Sequence, residues 1–480
     1  MKELLDLVWR NKLFFLVATI AALALRLLFV FRYPHIAGDT FIYGDIAKNW
    51  LNHGIYGVTD LPAIRPTLIR LPGYPGFLAL MFSLFGQEHY RAVMIAQALI
   101  DVNTCMVVAA LALELMNQKA AKAAYLLTAL CPFLANYTAA PLSETLAVFC
   151  TTHALYNGVR GLKELNSRRT GALLWGLSGL WTAAGIYMRP DDILMLVPLG
   201  AGLLWLLTRP VAKTRTLLAG TLLLATSLGP LVPWTIRNWR TFGVFQPLAS
   251  RHAEDPGEFV PMGFNHWMKT WVVDFVSVDE VFWHVSGEAI SINALPGRAF
   301  DSREEYETTE RLIATYNQQL YIDPDLDQEF EILARQRMSH HAFRYYVRLP
   351  FLRVTGMWLR PRTEMLPLDL RWWNFSSNTS DARENWLSIF WAGLNLFFLL
   401  AAARGWMNWR LGIYGAVLIS FVLLRSAFLG TLENPEPRYM LECFPVVLAL
   451  AGGAFAKDCG GQIDQKKKPA SLHRRAENRD

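Results

Sequence analysis

The sequence predicts an all-α polytopic membrane protein: about ten transmembrane helices, an outer juxtamembrane helix and a small α-rich lobe. Three observations predict it. Of the 480 residues, 53% are hydrophobic and only 18% charged, and the apolar residues fall in blocks near twenty long. Blocks of that length suit the hydrocarbon core of a bilayer, whereas alternation or a 3.6-residue stripe marks soluble elements. The short loops between blocks are basic, which fits their retention on one side of a membrane. One polar stretch, 240–385, is too long for a connection and must carry structure of its own.

Taken in order, the expected spans are 13–33, 91–115, 119–136, 143–159, 170–188, 192–208, 216–235, 386–403, 411–429 and 439–456. The first follows Lys2, Arg10 and Lys12 like a signal peptide, but its apolar run reaches Tyr33, beyond a secretory h-region, and reads as a retained span. Residues 73–88, GYPGFLALMFSLFGQE, are apolar but too short to cross. If they crossed, every later loop would change sides. NQKAAK at 117, GVRGLKELNSRRT around 158–170, TRPVAKTR at 208, ARGWMNWR at 403 and the tail with Lys466, Lys467, Lys468, Arg474, Arg475 and Arg479 are all basic. The positive-inside rule puts them in the cytoplasm with both termini, so 73–88 is expected to lie along the outer surface.

The same parity sends the loop after span one, PLSE at 141–144, MRPDD at 188–192 and ENPEPRY at 433–439 to the outer face. The expected division is a module at 1–239 with its key loop at 34–90, an outer lobe at 240–385, C-terminal spans at 386–457 and a basic tail at 458–480. Trp267, Trp271, Trp283, Trp358, Trp372 and Trp373 are expected to anchor the lobe at the interface. The five cysteines show neither a disulfide framework nor a zinc spacing. The net charge of +6 sits largely in short loops and the tail, so it is no nucleic-acid signal.

Charged residues at the outer ends of spans are the candidates for chemistry. In AGDTFIYGDIAKNWLNHGIYG, Asp39 reads either as a helix N-cap or as a base that takes a proton from an attacking hydroxyl. Tyr43 and Asp45 follow it, six residues placing Asp45 on another helix face. Arg70, in RLPGYPGFLAL, reads as a headgroup anchor or as a fork for phosphate, and Arg65 is a weaker candidate for the same role. Glu144 either complements the dipole of its helix or joins the site. Arg189 and Arg438 repeat one layout, an arginine at an outer helix end beside proline. Inside the spans, Asp101, Glu114, Arg26 and Arg425 must find partners. Arg26 and Asp101 differ in depth by about 5 Å, so an ion pair is expected.

The order of these motifs resembles the membrane glycosyltransferases of the GT-C fold, in particular the bacterial family-39 group related to protein O-mannosyltransferases and aminoarabinose transferases. The GD loop, RLPGYP, SETL, MRPDD, LVPWTIRNWRTFGVFQPL and the final PRY span carry the resemblance. It implies an inverting transferase moving a sugar from a polyprenyl-phosphate donor to an acceptor hydroxyl outside the cytoplasm. Asp39 stands where the family has its catalytic base, although the family's common Asp-Glu pair is Asp39-Thr40 here. Arg70, Arg189 and Arg438 would bind the donor phosphate. The expected partners are that donor, an unidentified glycolipid, glycan or protein acceptor, and the bilayer of a bacterial inner membrane; no nucleic acid is expected. No cofactor is required and no metal spacing is present, while Asp39 with Glu144 leaves room for a divalent cation. The alternative, a transporter or flippase of lipid-linked sugars, would place polar residues on broken helices near the midplane.

Overall fold

A computed structural model describes residues 2–165, 170–209, 213–375 and 379–456, the side chains of 379–381 aside. The basic tail, Cys459, and Arg168 and Arg169 of the 158–170 loop lie outside the described residues.

The N-terminal part runs α1 (Lys2–Arg10), α2 (Lys12–Arg32), α3 (Asp39–His53), a two-stranded antiparallel hairpin of β1 (Gly57–Asp60) and β2 (Ala63–Pro66), α4 (Gly73–Phe85) and α5 (Tyr90–Leu115). Then follow α6 (Gln118–Ala129), α7 (Pro132–Tyr137), α8 (Glu144–Glu164), α9 (Thr170–Met188), α10 (Leu196–Leu207), α11 (Lys213–Leu228) and α12 (Leu231–Phe242). The lobe contributes α13 (Met262–Lys269), α14 (Arg303–Gln319), α15 (Pro324–His340) and α16 (Leu349–Leu359). The chain closes with α17 (Thr379–Asn408), α18 (Gly412–Gly430) and α19 (Phe444–Ala454).

Among the described residues, six helices are long and apolar enough to cross a membrane: Lys12–Arg32, Tyr90–Leu115, Pro190–Leu207, Lys213–Phe242, Ala382–Asn408 and Gly412–Gly430. The other four expected spans are helical but differ from the expectation. Pro132 ends the helix expected over 119–136 and starts a second, because proline cannot donate to the preceding turn. The span expected over 439–456 is a 3-10 turn, Pro437–Cys443, followed by the eleven residues of α19. Helices α8 and α9 carry Thr151, Thr152 and His153, or Gly, Ser and Trp, in place of a continuous apolar run. The physical reason is shared: α8 and α19 are buried by neighbouring helices along most of their length, so they need not satisfy lipid.

Helix α4 spans 13 residues, roughly 20 Å against about 30 Å of hydrocarbon. Its C-terminal end meets α3, where Gln87 and Asn52 exchange hydrogen bonds. Arg26 and Asp101 pair as expected, the guanidinium Nε donating to Asp101 Oδ2 at 2.8 Å, with both side chains essentially sealed from solvent. Arg26 also donates to the carbonyls of Ala22 and Ala129, so it closes the end of α6 as well. Glu114 pairs with Lys163 and Arg160, and Arg425 with three carboxylates described below.

The lobe has its own core, built from Phe264, Trp267, Met268, Trp271, Leu312 and Phe330 with their neighbours. This corrects the anchoring role expected of Trp267 and Trp271: both are fully buried in that core. Trp358 faces the bundle instead, stacking on Phe444 and donating to Ser426 Oγ at 3.0 Å. Trp283 and Trp373 remain exposed.

Candidate functional site

Local backbone chemistry delivers each arginine and carboxylate to one end of the bundle. Gly38 has φ +54°, a left-handed conformation suited to glycine, and turns the chain so that Asp39 opens α3. Asp39 is therefore the first helical residue and not the cap, and its side chain makes no capping bond. At the start of α4, an added Cβ on Gly73 would lie 2.5 Å from the Tyr187 carbonyl oxygen. Only glycine lets the RLPG turn touch the end of α9, which brings Arg70 beside the Arg189 turn. Arg189 and Arg438 each flank a proline that starts a 3-10 turn.

The five residues converge. Arg70 Nη2 donates to Asp39 Oδ1 at 2.7 Å, and Arg438 Nη2 lies 3.5 Å from Asp39 Oδ2. The other arm of Arg438 is 3.5 Å from Glu144 Oε1, to which Arg189 Nη1 donates at 3.4 Å. Glu144 Oε2 is buried and has no hydrogen-bond partner among the described residues. Tyr43 packs its ring against Arg70, the guanidinium 5.7 Å from the ring centroid. Tyr439 lies beneath Arg189 at 4.7 Å. Burial pushes the Asp39 carboxyl up, but Arg70 and Arg438 outweigh it and hold the group below the ordinary carboxylate range.

Two of the expected site residues are held elsewhere. Asp45 is committed to the hairpin: Oδ2 accepts from the Thr59 amide at 2.6 Å and Oδ1 from its hydroxyl at 2.8 Å. Arg65 is exposed and pairs with Glu258 at 2.5 Å and Asp255 at 3.3 Å. Neither reaches Asp39: Asp45 lies six residues further along α3 and is held by Thr59, and the hairpin carries Arg65 away from the arginine cluster.

A second tier of ions, not apparent as a group in the sequence, stands behind the arginines. Arg189 Nε lies 3.2 Å from Glu442 and 3.4 Å from Asp191. Arg425, fully buried, pairs with Asp191 at 2.7 Å, with Asp192 at 3.0 Å and with Glu442. A fixed tier of ions holds Arg189 from the back, so its guanidinium is oriented before any ligand arrives. The signal was present: Arg425 inside a span demanded a carboxylate, and MRPDD and PRYMLE offered three.

Two cavities meet at Asp39 and Arg438, which line both. One, about 190 Å³, is basic and contains Arg70, Arg189, Tyr43 and Glu144, with Arg251 at its edge. The other, about 570 Å³, opens toward the lobe past His35, Tyr137 and Trp283. Beyond the basic cavity, an apolar groove of about 500 Å³ runs along α12 between Ile193, Leu231, Ile236, Trp239 and Leu248. Among the described residues, no group of three or more His, Cys, Asp or Glu side chains could hold a metal ion.

Comparison with known proteins bears on this geometry. Residues 66–234, from just before Arg70 to α12, match the dolichyl-phosphate-mannose-protein mannosyltransferase family. No curated protein matches the chain in sequence. Among solved structures, the archaeal oligosaccharyltransferase AglB of Archaeoglobus fulgidus, in complex with an inhibitory peptide and a dolichol-phosphate, superposes with a TM-score of 0.52 at 12% identity. That match covers 93% of this chain and 50% of that one. The same enzyme with zinc and sulfate gives 0.51 at 10% identity, over 92% and 48%. ArnT of Cupriavidus metallidurans bound to undecaprenyl phosphate aligns over 93% of this chain and 78% of its own at 13% identity, with a TM-score of 0.39. The chain thus spans about half the length of the oligosaccharyltransferase, and the likeness is one of architecture. The fold of this chain is that of the GT-C membrane glycosyltransferases.

Proposed function

We propose that the chain is an inverting glycosyltransferase that moves a sugar from a polyprenyl-phosphate donor to an acceptor hydroxyl outside the cytoplasm. The observation that carries this reading is the partition: one carboxylate, Asp39, lines both a basic cavity and a larger open one. A displacement needs that layout, with the leaving phosphate on one side of the base and the incoming hydroxyl on the other. The match of residues 66–234 to mannosyltransferases and the dolichol-phosphate bound to AglB support a lipid-linked donor. The groove along α12 suits the prenyl chain, since its walls are largely apolar and two of them, Ile193 and Leu248, stand close in sequence to Pro190 and Ala249 of the basic cavity.

The chemistry follows from charge. Before the donor arrives, Arg70 and Arg438 are occupied by Asp39. The donor phosphate competes for those guanidinium groups and draws Arg70 toward itself by bidentate hydrogen bonds. Asp39 then loses part of the field that keeps it acidic and becomes a better base. As the acceptor oxygen attacks the anomeric carbon, its proton passes to Asp39, and the glycosidic electron pair leaves with the phosphate oxygen. Arg70, Arg189 and Arg438 stabilise that developing charge, and a single displacement inverts the anomeric centre. Glu144, with one oxygen free, would accept a hydroxyl of the donor sugar. We assign the arginine and Asp39 roles to residues 1–239 and 386–456, with the 240–385 lobe covering the acceptor side. No metal step is included, and activity is expected to survive chelation of divalent cations.

The test is transfer from a polyprenyl-phosphate sugar in membranes, with donor binding measured separately. Asp39→Asn should cut turnover by roughly two to four orders of magnitude and leave donor binding nearly intact. Arg70→Ala should weaken both. Near-normal turnover in Asp39→Asn would remove Asp39 as the base.

A further inference from the structure

The larger cavity has a composition that the phosphate chemistry does not use. Its walls carry Asp279, Glu364 and Glu436 besides Asp39, against a single guanidinium, that of Arg438. His35 adds no charge near neutrality: burial, and then Arg438, hold its imidazole below the ordinary histidine range. Two of the carboxylates have no cation within ion-pair distance, although the guanidinium of Arg360 lies near enough to act on both and that of Arg362 on Glu364. Asp279 makes no hydrogen bond or ion pair among the described residues, and Glu364 accepts only from the Tyr137 hydroxyl, at 2.9 Å. Its second oxygen, Oε2, is buried without a partner. Unsatisfied buried acceptors are costly and call for a donor. Beside them, Trp283 presents a ring that is 46% exposed, packed edge-on against Phe275 at 5.2 Å.

Acceptor-only carboxylates next to a free aromatic face match one ligand chemistry well: rings that offer many hydroxyl donors on their rim and C–H groups on their face. Four carboxylates on the same walls disfavour a second phosphate there. Like charges in a partly desolvated cavity cost more than in water. The volume, about 570 Å³, lies within the range of small-ligand sites.

Resting on the transferase reading above, we propose that this cavity is the acceptor subsite and that it selects a saccharide carrying no phosphate next to the reacting hydroxyl. Asp279 and Glu364 accept hydrogen bonds from ring hydroxyls, Trp283 stacks on the ring, and Asp39 faces the hydroxyl that reacts. The acceptor is thus a glycan end. A phosphorylated lipid headgroup is disfavoured, and a peptide offers fewer hydroxyl donors than a sugar ring to Asp279 and Glu364.

Saturation-transfer NMR on the purified full-length protein separates these classes without any donor. The probes are the methyl glycosides of glucose, galactose, mannose and N-acetylglucosamine, glucose 6-phosphate, and a hexapeptide containing Ser and Thr. At least one glycoside should receive saturation, more strongly than glucose 6-phosphate or the peptide. Glu364→Gln, Asp279→Asn and Trp283→Ala should each weaken that signal by about fivefold, the equivalent of one hydrogen bond. Unchanged melting temperatures in these variants exclude unfolding as the cause. Binding by none of the glycosides, equal or stronger binding of the phosphate ester or the peptide, or signals indifferent to all three substitutions overturns the proposal. The outcome is separable from the transferase reading. Glycoside binding in a protein whose Asp39→Asn variant still turns over would sink the base and keep the cavity.

Discussion

Asp39 sits between two guanidinium groups, and its acidity is set by them more than by its burial. A base must be ionised to accept a proton, so activity falls as pH drops through the Asp39 pKa. Because that pKa is depressed, the acidic limb of the rate profile should lie below the ordinary carboxylate range. The donor is a phosphodiester and does not titrate there, so the limb reports on the protein. Arg438→Gln removes one of the depressing charges and should move the limb to higher pH, with activity lost first under mildly acidic conditions. A kcat/KM profile against pH measures this apart from any uniform loss of donor affinity, and an unshifted limb would show that Arg438 does not act on Asp39. Asp39, Arg70, Glu144, Arg189 and Arg438 were legible because each stands at a helix end beside glycine or proline, where a span must turn. Asp45 and Arg65 were not separable from them, since a sequence does not tell that a hairpin folds back on α3 to hold Asp45 or which way it swings Arg65.

Buried ions join helices in this protein alongside apolar packing. Arg26 links α2 to α5 through Asp101 and to the end of α6 through the carbonyls of Thr128 and Ala129. The carbonyls favour a cation there, as the C-terminal end of a helix does in general. The two partners are therefore unequal. Arg26→Leu strands a carboxylate and unpairs the carbonyls, whereas Asp101→Leu leaves the guanidinium with its backbone acceptors. Breaking a buried pair from one side costs about 3–5 kcal/mol, and replacing both partners is often nearly neutral. Arg26→Leu should lower folded yield more than Asp101→Leu, and the double variant should recover beyond the sum of the two. Size-exclusion profiles of detergent extracts give that comparison, and purely additive losses would show no coupling. The depth arithmetic found this pair because helical rise converts residue count to distance. It could not find the Asp191–Asp192–Glu442 set around Arg425 of α18, whose carboxylates come from two 3-10 turns with no register common to that helix.

At the scale of the whole molecule, apolar blocks revealed a helical bundle, and six of the ten expected spans are long and apolar enough to cross a membrane among the described residues. Helices α8 and α19 are lined by protein, so length and apolarity are not what selects them. The lobe was unreadable because its core is assembled from short helices and turns far apart in sequence, with Trp267 and Trp271 at the centre. Sidedness is an expectation that rests on charge counts in short loops. The geometry adds which groups share one end of the bundle. Gln87 precedes the start of α5 at Tyr90, while Lys163 pairs with Glu114 at the far end of that same helix. The two positions are thus separated by a helix of 26 residues, roughly 39 Å, more than the thickness of the hydrocarbon core. Asp39, Glu144 and Arg70 gather at the Gln87 end, because α8 starts at Glu144 and ends beside Glu114. If α4 lies along the outer surface, a membrane-impermeant maleimide should label Gln87→Cys in intact cells and reach Lys163→Cys only after permeabilisation. The four described native cysteines are buried, and Cys459→Ser removes the remaining one from the background. Labelling of both positions from the same side would mean that α5 does not cross. The reverse pattern would turn the site toward the cytoplasm and remove the case for a donor presented on the outer leaflet.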